Sequence, residues 1–305
     1  PRVLSTPTHF AYLRIAEGCS NSCAYCIIPK LRGRYRSRPM EDILTEARAL
    51  AADGVKECIV IAQDITRYGV DLYHEKKLPE LLRELCKLDF HWIRLHYLYP
   101  DTITDELIDT IASEPKICKY IDMPIQHCSD TILKAMRRRE THAGLLALME
   151  KLRARIPGVV LRTSLITGLP YEDEAAFNEL CEFLRQTHIE RAGVFPYSPE
   201  EGTPAAEMPN RVDTAEAERR AELVVDVQSR IMDDFNESRM GDLVEVLCEG
   251  FDPQSMQYMG RSYAESPDID GHIYFNSEAD VDPGDFVMVR VTGAMDGELV
   301  GEREE

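Results

Sequence analysis

The chain has 305 residues with 54 acidic and 35 basic side chains, a formal net charge of −19, and 44% apolar residues. That length accommodates one large domain or two ordinary ones, and the composition is that of a globular protein. The acidic balance argues against general affinity for a phosphate backbone, no run of about 18 apolar residues exists to span a membrane, and nine cysteines without a signal peptide or scaffold pattern point to a reducing cytoplasm.

The first predicted strand, residues 11–16, runs into Glu17-Gly18-Cys19-Ser20-Asn21-Ser22-Cys23-Ala24-Tyr25-Cys26. Thiolates packed this closely repel one another unless a metal centre takes up their charge. Structural zinc takes four closed ligands, usually as paired C-x-x-C units. Here Cys19, Cys23 and Cys26 are spaced by three residues and then two, with no second pair downstream. A [4Fe-4S] cluster fits that set better, with three thiolates on three irons and one iron left open for a substrate. The competing reading is a loop with chance cysteines, some buried as small hydrophobes.

Five cations follow at Lys30, Arg32, Arg34, Arg36 and Arg38, either neutralising an acidic ligand or forming a solvated loop. Pro39 opens a helix over 40–53, with Glu41 and Asp42 in its first turn. Strands are then predicted at 57–62, 91–97, 120–124, 159–164 and 192–195, and helices at 78–88, 104–113, 130–136, 142–155 and 173–186. Short apolar strands alternating with helices predict an α/β fold with parallel pairing and right-handed crossovers. Six βα units fall short of eight, so an open partial (βα)6 barrel is expected. A long polar helix over about 213–236 leads to a different texture. Strands at 243–247, 258–261, 272–275 and 286–290, divided by Gly, Pro and Asp turns, predict a small all-β barrel. The expected domains are 1–236 and 239–305. The second holds 16 acidic against 4 basic side chains, a surface suited either to a basic protein partner or simply to solubility.

Parallel βα barrels place their chemistry at the carboxyl ends of the strands. Those ends carry Gln63-Asp64, His96-Tyr97, Gln126-His127, Arg162-Thr163-Ser164 with Gly168, and Tyr197-Ser198. Each has a plainer reading: Gln63 and Asp64 as loop caps, His96 and His127 as hydrogen-bonded scaffold, Gly168 as a turn residue. Cys128 lies beside this rim, without an assigned role.

The cysteine spacing resembles the radical S-adenosylmethionine (SAM) enzymes. In them three such cysteines hold a [4Fe-4S] cluster, and the amino and carboxylate groups of SAM chelate the open iron. Glu17-Gly18-Cys19, Ile27-Ile28-Pro29, Arg32-Gly33 and Ser37-Arg38-Pro39 are similar to the methylthiotransferase branch. Ala62-Gln63-Asp64 with Tyr68-Gly69, Gln126-His127, Arg162-Thr163-Ser164, the stretch 197–203 and Glu265-Ser266-Pro267-Asp268-Ile269-Asp270-Gly271 resemble its members that act on a ribosomal protein. Those acting on transfer RNA typically carry Gly-Gln-Asn in place of Ala62-Gln63-Asp64. Tyr171 departs from the pattern, because relatives commonly have glycine there. The last 65 or so residues resemble the TRAM domain that ends these enzymes.

The resemblance implies a TIM-like radical SAM barrel followed by a TRAM barrel. It implies cluster ligands at Cys19, Cys23 and Cys26 and a SAM cradle drawn from Gln63, Asp64, Gln126, Arg162 and Gly168; no catalytic residue is assigned. The implied reaction adds a methylthio group to the β-carbon of an aspartate in the twelfth small-subunit ribosomal protein, with a low-potential electron donor. That carbon has no acidic proton, so a radical rather than a base must take its hydrogen. The basic substrate is expected to dock on the acidic barrel. The chain starts at Pro1 and its first methionine is Met40, which reads as a fragment lacking an N-terminal domain with a second [4Fe-4S] cluster. A transfer-RNA methylthiotransferase and a non-catalytic metal-bound ribosome- or RNA-binding module are the alternatives.

Overall fold

Strand β1 (Phe10–Arg14) is followed by a two-residue hairpin, β2 (Ala16–Glu17) with β3 (Arg36–Ser37), which brackets the cysteine loop and a short helix α1 (Ile28–Arg32). The chain then alternates: α2 (Met40–Ala52), β4 (Glu57–Ile61), α3 (Val70–Tyr73), α4 (Leu78–Cys86), β5 (Trp92–Leu95), α5 (Asp105–Ser113), β6 (Tyr120–Asp122), α6 (Asp130–Ala135), α7 (His142–Arg155), β7 (Val160–Thr167), α8 (Glu174–Thr187) and β8 (Arg191–Pro196). Helix α9 (Thr214–Ser238) leads to β9 (Leu243–Asp252), β10 (Gln257–Arg261), β11 (Ile273–Asn276), β12 (Phe286–Met295) and β13 (Glu298–Glu304). This computed structural model describes residues 4–304; Pro1–Val3 and Glu305, the outer ends of the two expected domains, lie outside the described residues. Among the described residues no helix is long and apolar enough to cross a membrane.

The apolar strands are parallel; β4, β5 and β6 are buried on both faces, as strands inside a parallel sheet are, while β7 alternates and the edge strand β8 is largely half-buried or exposed. They form two three-stranded sheets, β1-β4-β5 and β6-β7-β8. A parallel bridge between Ile93 and Ile117 joins the two at a seam. β1 and β8 remain edges, so the barrel is open. Side chains of Thr104, Thr141, Asp173 and Asp213 cap α5, α7, α8 and α9 by accepting from their first-turn amides. Helix α9 lies on the open side, where its Ala217 carbonyl accepts from Thr167 and its Gln228 donates to Ile189 O.

The C-terminal barrel is closed, in the order β10-β11-β13-β12-β9. Four strands were expected, and β13 is the correction. Glu298, Glu302, Arg303 and Glu304 disguise it as a charged tail, yet it runs between β11 and β12 with Leu299 and Gly301 buried.

The segment 261–270, between β10 and β11, fills the base of the open barrel. Three of its partners, Glu57, Tyr120 and Arg191, open their strands, and a fourth, Arg94, lies within β5. Arg261 Nη2 donates to Glu57 Oε2 at 2.6 Å, and Arg191 Nη2 to Glu265 Oε1 at 2.8 Å. Tyr120 Oη donates to Asp270 at 2.6 Å, and Arg94 Nη1 to Tyr263 O at 2.8 Å. A closed eight-stranded barrel fills its interior with layers of its own side chains; here the second domain supplies that layer.

Two carboxylates carry this junction. Burial alone would raise the pKa of Glu57, but the Arg261 and Arg94 guanidiniums outweigh it and hold it at about 2. Glu265 is likewise held at about 2, burial being overcome by Arg239 and Arg191. A depressed carboxyl pKa contributes stability above the ordinary value of 4.5, and that stability is lost as pH falls through the folded value. Urea unfolding is therefore expected to weaken by a few kcal/mol, on the order of magnitude set by such shifts, between pH 4.5 and pH 2. A flat profile across that window would contradict the assignment.

Candidate functional site

The cysteine loop is held from several sides. Gly18 has φ +78°, and a Cβ there would sit 2.4 Å from the Arg34 carbonyl oxygen, so only glycine lets β2 and β3 close around the loop. Cys19 N donates to Gly33 O at 3.1 Å, and Ala24 N to Met136 O at 2.9 Å. Asn21 Nδ2 donates to Asp64 Oδ2 at 3.1 Å, tying the loop to the end of β4. The basic run that follows is used locally: Lys30 donates to Gly202 O, Arg32 faces Glu17 at 3.7 Å, and Arg38 pairs with Glu46 at 2.7 Å.

Cys19, Cys23 and Cys26 line a cavity of about 400 Å3 together with Gln63 and Gln126. Tyr97, Tyr99, Pro124, Arg138 and Ser164 complete much of its wall. All three thiols are half-buried and free of disulfides. Burial pushes the Cys19 and Cys26 thiols above their ordinary pKa. Structural zinc takes four closed ligands. Among the described residues on this wall there are three cysteines and no fourth, and that donor set fits a [4Fe-4S] cluster with one open iron. Gln63 Oε1 is a buried acceptor without a partner on the same wall, which suits a polar ligand beside the sulfurs.

The structure separates the residues expected around SAM. Gln63 and Gln126 face the cavity, and Gln126, at φ +70°, bridges to Leu165 of β7 beyond the end of β6. Asp64 does not line it. It is fully buried and accepts from Asn21 and from Thr66 N, with Arg67 at 3.3 Å, so it positions the cysteine loop from behind. Arg162 pairs with Asp122 at 2.8 Å and borders a second cavity, of about 270 Å3, beside α9. Gly168, at φ +76°, would put a Cβ 2.2 Å from that of Ala217; its smallness serves helix packing. Tyr97, expected at the rim, does line the cavity with Tyr99 two residues on; the residues that sequence reasoning missed are Asn21, Tyr25 and Arg138. Arg138 sits in the run Arg137-Arg138-Arg139, where only the middle side chain turns inward.

His96 and His127 are scaffold. His96 Nε2 meets Ser266 Oγ at 2.8 Å, and burial lowers its pKa to about 4, leaving it neutral at pH 7. His127 Nδ1 accepts from Ser129 N at 3.0 Å. Tyr171, the departure from the glycine pattern, has φ +71°, the left-handed backbone that favours glycine. Cys128 is buried away from the cavity wall, in a group with His142 and Glu179. A second groove of about 270 Å3 shares Tyr25, Gln126 and Ser164 with the main cavity and adds Ile166, Phe195 and Tyr197; Phe195 is 55% exposed.

The role of Asp64 has a direct test. In metal-free protein, Asp64→Ala is expected to speed alkylation of the loop cysteines by iodoacetamide about tenfold, since a hydrogen bond to a charged group contributes about 1.5–3 kcal/mol. Unchanged alkylation with unchanged circular dichroism would remove the positioning role.

Comparison with known proteins agrees with this geometry. The pattern of the Radical SAM superfamily matches residues 13–184, and that of the TRAM domain matches residues 240–303. A ribosomal protein uS12 methylthiotransferase RimO from Caldanaerobacter subterraneus subsp. tengcongensis is 50% identical over 303 residues, covering 99% of this chain and 69% of that protein. The protein of the same name from Acetivibrio thermocellus is 49% identical over 302 residues, covering 99% and 67%. Among solved structures, the radical SAM methyltransferase TsrM from Kitasatospora setae, with cobalamin and a [4Fe-4S] cluster bound, superposes with a TM-score of 0.55 at 17% identity, covering 65% of this chain and 38% of that one. The radical SAM enzyme coproporphyrinogen III oxidase from Escherichia coli gives 0.54 at 16% identity, covering 73% and 52%. At such identities these two show a shared fold.

Proposed function

The chain belongs to the ribosomal protein uS12 methylthiotransferase (RimO) family of the radical SAM superfamily, and on that premise we propose that it adds a methylthio group to the β-carbon of an aspartate of uS12. The observation that carries the reading is the convergence of Cys19, Cys23 and Cys26 on one cavity that also holds Gln63 and Gln126. In this reading the three cysteines hold a [4Fe-4S] cluster, and the two glutamines meet the polar groups of SAM. When bound, cluster and SAM supply radical chemistry able to remove a hydrogen that no base would take. The chain's own residues bind and orient. Asn21 and Asp64 fix the ligand loop, the Tyr97, Tyr99 and Pro124 side chains limit water, and the groove with Ile166, Phe195 and Tyr197 receives the substrate segment. A low-potential one-electron donor serves the cluster.

The substrate is a basic protein, and the C-terminal barrel offers it acids. Glu249 and Glu265 are already engaged by Arg261, Arg191 and Arg239 inside the molecule. Glu278, Asp280, Asp282 and Asp285, on the turn between β11 and β12, are exposed and form the docking face. Reversing Glu278, Asp280 and Asp282 to lysine is expected to weaken binding of uS12 about tenfold at low salt, and less at high salt, with iron content unchanged. Equal affinity would refute the docking face.

Deuterium tracing tests the reaction. With uS12 deuterated at aspartate β-carbons, the reconstituted protein is expected to release deoxyadenosine that carries deuterium. Deoxyadenosine free of deuterium would overturn the assigned target atom.

A further inference from the structure

We propose that Tyr99 and Arg138 set the reduction potential of the cluster through Cys23, an inference that rests on the cluster reading above. The three sulfurs are not equivalent. Cys19 Sγ is met by a backbone donor, Asn21 N at 3.4 Å, and Cys26 by the backbone of Ile28. Cys23 Sγ instead has side chains around it: Tyr99 Oη at 3.6 Å, Arg138 Nη1 at 4.0 Å, and the Tyr25 hydroxyl that is also hydrogen-bonded to it.

Arg138 is built into this position. Its side chain is only 2% exposed. Nη1 also donates to Tyr25 Oη at 3.1 Å, and Nη2 to Pro124 O at 2.9 Å and Glu140 Oε1 at 2.7 Å. The guanidinium stands 4.5 Å from the centre of the Tyr99 ring. Glu140 balances the charge from the Nη2 side, which leaves Nη1 directed at the tyrosine and the sulfur. Burying a cation is costly, and a purely structural pair is the plainer account.

The electrostatics separate the two accounts. Reduction adds one electron, and so one negative charge, to a centre already carrying three thiolates; no bond forms or breaks. A hydroxyl donor on the sulfur and a fixed cation in a poorly solvated wall favour the more negative form and raise the potential. Removing either lowers it. A structural pair would change stability or loading and leave the potential alone.

The test is an anaerobic, dithionite-poised titration followed by electron paramagnetic resonance on the reconstituted chain, with iron and sulfide assayed in parallel. Tyr99→Phe keeps the ring beneath Arg138 and removes the hydroxyl; Arg138→Gln removes the charge; Arg138→Lys restores it. Tyr99→Phe and Arg138→Gln are expected to lower the reduced fraction at a fixed poise about tenfold, 59 mV for one electron, with Arg138→Lys closer to the parent. Potentials equal to the parent at equal iron content would overturn the proposal. If Arg138→Gln does not load, Tyr99→Phe decides: a lowered potential supports the proposal and an unchanged one overturns it. A parent chain that itself takes up no cluster would instead overturn the functional reading on which this rests.

Discussion

Cys23→Ala is expected to reduce bound iron from about four per chain to background and to abolish SAM cleavage. The expectation follows from the donor set. Three cysteines line the cavity and, among the described residues, no fourth replaces a lost one: Cys58, Cys118, Cys181 and Cys248 are buried elsewhere, Cys86 is half-buried at the end of α4, and Cys128 belongs to a separate group with His142 and Glu179. With only Cys19 and Cys26 left, two irons would lack a protein ligand. The fold should survive, since Cys23 is half-buried and the loop remains held through Gly33, Asp64 and Met136. Iron analysis beside circular dichroism checks both parts. Retained iron in a folded Cys23→Ala protein would remove the triad from its role.

Glu265→Ala is expected to be the most destabilising of the single changes considered. It strips the carboxylate from Arg191 and Arg239, both buried, and from the Ser262 amide that donates to it at 2.9 Å. Breaking a buried pair by removing one partner costs about 3–5 kcal/mol, a large share of the roughly 5–15 kcal/mol that holds a domain together. Because Glu265 sits in the segment that fills the base of the barrel, the loss should loosen both domains at once. Exposed Glu278→Ala should shift stability by no more than about 0.5 kcal/mol. Equal urea midpoints for the two variants would show that the plug is dispensable.

Parallel strands such as β4 were legible because burial on both faces leaves an uninterrupted apolar run, here Cys58-Ile59-Val60-Ile61. The cysteine loop was legible because its spacing has few other uses. β13 was hidden, since its charged residues point outward from a barrel that only pairing on both sides reveals. The plug was hidden too: Arg261, Glu265 and Asp270 look like a polar surface turn until Glu57, Arg191 and Tyr120 are brought to them from far away in the chain. Within the site, position along a strand did not tell which way a side chain faces. Neighbouring residues at a strand end point to opposite sides, so Gln63 enters the cavity while Asp64 turns behind it. Gly168 looked like an opening for a ligand, and the space it leaves is filled by Ala217. Arg138 could not be told from its arginine neighbours, because only the packing of Tyr99, Tyr25 and Pro124 makes a buried seat for one of them.

The most direct measurement is made on the intact chain, rebuilt anaerobically with iron and sulfide and then given SAM and dithionite. A brown protein with about four irons that releases deoxyadenosine is the predicted result. A colourless protein holding a single zinc, or an iron-loaded one that leaves SAM uncleaved, would contradict the account.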